Sequence, residues 1–412
     1  MLALPHLFRV SARAPRRRTA AILTCALLAG GCAATPDVQT AAERFRIMPP
    51  QDEVVGRADW YRPRMRVAGA APAVRRDGRA SADLKDSTAR FAAALESARR
   101  WDSLAVVVLV DGRVVLEDYA AGVDSNTHFD SQSMHRGLLA LAVLAAHEDG
   151  AIRSLSQPLA DFIPEWRAAD DARGRIRLVD LLHNQSGFVD PAYEFRADSP
   201  GMQLFIGTEL RELVLAQRPT SAAGKTYRGT ALDAQLLGLV LERAIGEPYA
   251  KFLSRRLWRP LGAGEAWVRL DRDGGSTRTF CCLQATARDW ARVGELVRRG
   301  GSVNVAGGDR RILAADSVAQ LLAPAPLNRA VGMSWFLEPT PLVPRSVAGD
   351  RPLPVPTAFD TKGVVYAGGR GGQRVYVLPQ QNAVVVRIGR IRNDFDDGVF
   401  LNPFIAALAA KP

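Results

Sequence analysis

The chemistry this chain can do starts from one hydroxyl. The run Phe129-Asp130-Ser131-Gln132-Ser133-Met134-His135-Arg136 leads into a strongly apolar segment, which puts Ser133 in the first turn of a helix expected to reach Glu148. A serine hydroxyl is a weak nucleophile without a base, and a helix N-terminus favours negative charge developing beside it. The residue three places on shares its face, and that residue is Arg136. A guanidinium holds anions but does not deprotonate in proteins, so Arg136 cannot take the serine proton. Other candidate bases are His128 before the turn, Tyr227, His183 and Lys225. His135 is two residues from Ser133 and should point elsewhere. Asp130 reads most simply as the cap of the helix, and His147 as a complement to the dipole at its far end.

A second cluster is Gly368-Gly369-Arg370-Gly371-Gly372-Gln373. Arg370 can clamp a carboxylate bidentately or stay solvated. Gly371 and Gly372 would let a substrate approach the strand edge closely, and backbone N–H groups near Gln373 and at Ser133 would face an oxyanion. The run is no phosphate-binding fingerprint, because no helix start with Lys-Ser/Thr follows it. Cys281 and Cys282 are adjacent and lack nearby His partners, a poor zinc site. A vicinal disulfide is rare, so both read as small buried hydrophobes. No metal and no cofactor is expected.

The elements that must position these groups are legible as patterns. Leu104–Val110, Asp111-Gly112 and Arg113–Tyr119 form an expected hairpin. Gln373–Leu378 and Ala383–Ile388 form another around Pro379-Gln380-Gln381-Asn382. Between them the patterns are mainly helical. Leu138, Leu139, Leu141, Val143 and Leu144 fall on several faces, so that helix should be buried nearly all round. Further helices are expected over 232–245, ending at Gly246, over 286–299, and from Val399 to Ala410. The fold class is therefore α/β, an antiparallel sheet formed from N- and C-terminal parts, flanked by helices, with an inserted mainly helical lobe at about 133–269. The α/β part covers about 76–132 and 270–412. Residues 339–356 hold six Pro and read as a long surface loop.

Composition narrows the classes. The chain has 412 residues, 47% hydrophobic and 24% charged, a soluble globular profile that excludes a wholly disordered chain or a polytopic membrane protein. The first 31 residues hold five Arg and no acid, so the formal charge of +11 falls to +6 without them. The remaining basic residues are scattered, which argues against nucleic-acid binding. Arg13 to Arg18 precede a short apolar run from Thr19 to Ala29 that is too short to span a bilayer. Residues 1–31 thus read as a signal peptide. Leu28-Ala29-Gly30-Gly31-Cys32 resembles a lipobox, which implies lipidation of Cys32, a membrane anchor, and, with Ala33 following, a periplasmic protein held at the outer membrane of a Gram-negative bacterium. Residues 32–75 would be a tether and an irregular wrap. The oligomeric state has no signature.

From about 100 to 405 the chain resembles the penicillin-recognising serine hydrolases, which include class C β-lactamases, D-alanyl carboxypeptidases, esterases and 6-aminohexanoate-dimer hydrolases. Ser133-x-x-Arg136 is similar to their Ser-x-x-Lys motif, and Asp180-Leu181-Leu182-His183-Asn184-Gln185-Ser186-Gly187 to their Leu-Leu-x-x-x-Ser-Gly segment. Gln235-Leu236-Leu237-Gly238, with Gly246-Glu247-Pro248-Tyr249 and Pro260-Leu261-Gly262, resembles the stretch that follows. Cys281 to Asp289 looks like a segment of the oligomer-hydrolase branch, and Gly368 to Gln373 like the third motif. Two departures stand out. The family's Lys is Arg136, and a gap-free count back from Gln235 puts the Tyr of the second motif at Gly229, with Tyr227 two positions upstream. The resemblance implies amide or ester hydrolysis through an acyl-Ser133 intermediate, with low or atypical activity, on a small-molecule or peptide substrate. The departures imply an alternative, an inactive binding module for cell-wall peptides or a protein partner.

Overall fold

The computed structural model describes residues 37–70, 89–305, 308–340 and 355–410. Cys32, the expected signal peptide and most of the proline-rich loop lie outside them.

In chain order the elements that frame the site are α1 (Val38–Ile47), β1 (Arg64–Val67), α2 (Ala92–Arg100), β2 (Ser103–Val110), β3 (Arg113–Tyr119), β4 (Phe129–Asp130), α3 (His135–Glu148) and α4 (Ala231–Ile245). They continue with β5 (Ala266–Arg269), β6 (Gln284–Ala285), α5 (Ala287–Arg298) and the small hairpin of β7 (Ser302–Val305) and β8 (Gly308–Arg311). The last are β9 (Val365–Gly369), β10 (Gln373–Leu378), β11 (Ala383–Gly389) and α6 (Asp397–Ala409).

The main sheet is antiparallel, in the order β3-β2-β11-β10-β9. It is built from both chain ends, as the hairpin signals imply. Asp111 and Gly112 carry the turn with φ of +49° and +75°, the pair of positive values a tight two-residue hairpin demands. Side-chain alternation then sorts the strands into two cores. Ala105, Val107 and Leu109 of β2 and Val384, Val386 and Ile388 of β11 face a core shared with α3, α4 and α5. Val106, Val108, Ala383 and Val385 face the opposite core with α2 and α6. Helix α3 is sunk in the first core, with Leu138, Leu139 and Leu141 at 0% exposure, each contributing roughly 1.5–3 kcal/mol by burial.

Two expectations change. The segment after residue 37 is no irregular wrap, since α1 and β1 are regular. Strand β1 joins β5, β6 and β4 in a second sheet ordered β1-β5-β6-β4. Ser133 also lies just ahead of the α-helix, in a 3₁₀ turn over Gln132–Met134.

Candidate active site

Strand β4 delivers the chain to Ser133. Asp130 pairs in register with Gln284 of β6 and is fully buried. Its Oδ1 accepts from the Gln132 N–H at 2.8 Å and from Gln132 Nε2 at 3.0 Å, and its Oδ2 from Arg269 of β5. Asp130 therefore caps the turn one residue before Ser133, with its charge already paired. That bracket holds Gln132 at a φ of +50°, a left-handed conformation that a non-glycine residue keeps only when its surroundings impose it.

Residues 280–283 form the other wall. Leu283 O accepts from Ser131 N–H at 3.0 Å, and the Cys282 N–H donates to Gln132 O at 3.2 Å. Cys281 O lies 2.9 Å from His135 Nδ1, and Phe280 O accepts from Arg136 Nε at 3.0 Å. Cys281 and Cys282, both buried, are joined in a disulfide, so the reading of two free thiols is corrected. His135 also reaches the Tyr249 hydroxyl at 2.8 Å; burial pushes its pKa down to about 4, leaving a neutral structural ring.

On the third side stands β9. A Cβ on Gly369 would lie 2.6 Å from Ser131 O and 2.9 Å from Met134 N, so this glycine lets the strand press against the turn. Tyr366 exchanges both backbone bonds with Phe336 on the side away from β10. By alternation, Gly368 and Arg370 turn their N–H groups to the same outer edge. Ser133 is partly exposed, and among the described residues no group hydrogen-bonds its hydroxyl or its N–H.

The glycine-rich turn does something other than expected. The Arg370 side chain donates to Gln51 at 2.7 Å, so its guanidinium is engaged by the N-terminal segment. Added Cβ atoms at Gly371 and Gly372 would meet Ile391 at 2.5 Å and Arg387 at 2.6 Å, and φ is +75° and +86° there. Inward packing by itself requires glycine at both positions. Gln373 is buried, its side chain bonded to Arg370 O and to both backbone groups of Gly389. The strand beside Ser133 is β9, not β10.

The proton-accepting side is sparse. His128 is held away by Glu265 O, 2.8 Å from its Nε2. Lys225 and Gly229 are exposed, and a Cβ on Gly229 would meet nothing within 4 Å. Tyr227, partly buried, lies in electrostatic range of Arg136. Burial raises its pKa, opposed by the Asn328 side chain and the Arg136 charge. Arg136 is lowered by burial and supported by Asp190, Asp233 and Tyr227. Asp190 accepts from Ala231 and Leu232 N–H at 2.8 and 3.0 Å, and Asp233 accepts from Ser186 Oγ. Burial pushes Asp233 up to about 8.

Sequence reasoning placed Gly369 in the Gly-rich cluster without its packing role and missed Asp190, Asp233 and Asn328 as neighbours of Arg136 and Tyr227. Thr230-x-x-Asp233 carries an N-cap signature that was open to reading, whereas nothing local marks Asp190 or Asn328.

The profile of the family described as Beta-lactamase matches residues 88–410. The chain belongs to the β-lactamase family. Its members include esterases, amide hydrolases and carboxypeptidases. The 6-aminohexanoate-dimer hydrolase of Paenarthrobacter ureafaciens is 26% identical over 207 residues, covering 48% of this chain and 52% of that enzyme. The chain thus matches about half the length of that curated relative. Among solved structures, a Bacillus anthracis protein assigned provisionally as a 6-aminohexanoate-dimer hydrolase superposes with a TM-score of 0.63 at 18% identity, over 86% of this chain and 92% of that one. A family VIII carboxylesterase gives 0.57 at 16% identity, over 83% and 99%. These likenesses show the fold.

Proposed function

We propose that this β-lactamase-family protein is a slow serine acyl hydrolase of ester or amide bonds. Ser133 Oγ attacks the carbonyl carbon, its N–H and that of Arg370 hold the oxyanion, the leaving group departs with the proton, and water later frees the acid from acyl-Ser133. The observation that carries the reading is the unengaged Ser133 hydroxyl and N–H, on a turn forced to positive φ and pressed against the open edge of β9. The test is a fluorophosphonate probe on the processed protein with mass-spectrometric mapping. The expected result is labelling at Ser133, abolished by Ser133→Ala. No labelling between about pH 6 and 9, a range that spans the ordinary titration of His and Cys, would reject it.

A second reading is supported by the other side of the site. Arg136 cannot accept a proton, and the Tyr227 phenol is raised, so ligand binding without turnover fits the same framework. We also propose that Cys32 is lipidated after export and anchors the protein at the outer membrane, with more than one acyl chain giving a stable anchor. Globomycin should then leave unprocessed precursor, and a Cys32→Ala protein that stays on membranes after normal processing would refute it.

A further inference from the structure

Cations in the interior of this protein have partners. Arg269 pairs with Asp130 and Arg374 with Asp397, while Arg387 donates to the carbonyls of Gly371, Gly372 and Trp101. Arg136 is different. Its Nε is held by Phe280 O at 3.0 Å, which fixes the plane of the guanidinium. Among the described residues its two terminal nitrogens bond nothing, and neither is sealed from solvent. Two carboxyl groups lie within electrostatic range, and neither is hydrogen-bonded to Arg136; the Asp233 Oδ2 is buried without a partner. Asp190 spends both oxygens on the N-terminus of α4, where the helix dipole favours its charge. Asp233 is taken by Ser186 and is mostly protonated at neutral pH. Arg136 therefore has charge support at a distance but no acceptor on its terminal nitrogens, and a half-sunk cation gains when an acceptor is supplied directly.

We propose that Arg136 is a carboxylate-binding site, its free Nη pair gripping a ligand carboxylate beside the Ser133 hydroxyl. The cleft then takes free carboxylic acids and acyl compounds carrying a carboxylate. This deepens the preceding reading, rests on the same cleft, and requires no acyl transfer. The chemistry suits the ligand: a planar fork with two unbonded terminal nitrogens matches the two oxygens of a carboxylate, and a neutral amide of the same size cannot supply the charge.

The experiment uses the processed Ser133→Ala protein, so that no covalent chemistry intrudes. Sodium hexanoate and hexanamide are titrated calorimetrically at constant ionic strength. Hexanoate is expected to bind and hexanamide to bind at least ~10-fold more weakly, the scale of one or two charge-assisted hydrogen bonds. Arg136→Gln in the same background should lose the preference, and Arg136→Lys, a point charge without the fork, should keep part of it. In parallel, hexanoate should protect Arg136 of the unmutated protein from phenylglyoxal, a readout that stands even if Arg136→Gln does not fold. Equal binding of acid and amide, or no protection of Arg136, overturns the proposal. Hexanoate binding that survives while the fluorophosphonate fails to label Ser133 would reject the hydrolase reading and leave this one in place.

Discussion

The two sides of the Ser133 cleft are built to different standards. On the nucleophile side, residues 131–136 make four hydrogen bonds to residues 280–283. Asp130 and Arg269 lock the approach, and Gly369 closes the third side. On the opposite side, residues 221–229 form an irregular segment with a turn at Gly224 and are exposed or half-buried, and the groups near Arg136 are a raised phenol and two carboxyls, neither hydrogen-bonded to it. Over-determination is what sustains a strained turn. Under the proposed serine-hydrolase reading, the difference teaches that the turn bearing the nucleophile is firmly held while no proton acceptor is bonded to its hydroxyl.

Breaking the well-built side should give the largest effect. Asp397 accepts from Arg374 and from Tyr376, and Arg374 in turn donates to Gly369 O at 2.8 Å. Asp397→Ala leaves a buried guanidinium unpaired. It should cost about 3–5 kcal/mol in urea unfolding and abolish Ser133 labelling. Next comes Gly369→Ala, whose methyl would collide with Ser131 O and Met134 N. It should cost about 1–3 kcal/mol and slow labelling sharply. Gly229→Ala on the open side should stay within about ±0.5 kcal/mol and leave labelling unchanged. Equal effects of the two alanines would erase the contrast between the two sides.

A smaller effect sharpens the comparison through pH. Asp233 has an ordinary value of 3.8 and is pushed up to about 8 by burial. Between those values the folded state binds more protons than the unfolded one, so stability falls as pH rises from about 4 to 8. Asp233→Asn removes that slope, and thermal melts across the window should show a flatter profile than wild type. An unchanged slope would mean that Asp233 is ionised when folded.

Much of the fold was readable because its signals are local. The Asp111-Gly112 turn, the valine-rich strands on either side and the all-round apolar face of α3 are written within short windows. The second sheet was not, since β4 and β6 are two residues long and their partners are set by distant segments. At the site, Ser133 and Arg136 follow from helical spacing. In the Gly-rich turn glycine marks close approach without saying of what: Ile391 and Phe395 fill the space a side chain at Gly371 or Gly372 would take. Counting without a gap put the second-motif tyrosine at Gly229, an exposed position with open space around it, while Tyr227 lies in electrostatic range of Arg136.

The account's central claim is that Ser133 lacks only its proton acceptor, and Arg136→Lys tests it most directly. A lysine there can lose a proton, and Tyr227 lies in electrostatic range of that position. Pre-steady-state release of p-nitrophenol from p-nitrophenyl acetate would be followed for wild type, Arg136→Lys, Tyr227→Phe and the double variant, with folding checked by circular dichroism. Acylation should rise by ~10²-fold or more in Arg136→Lys, the range of general-base assistance, and the gain should vanish when Tyr227→Phe is added. A folded Arg136→Lys no faster than wild type, or a wild type already as fast, would contradict it.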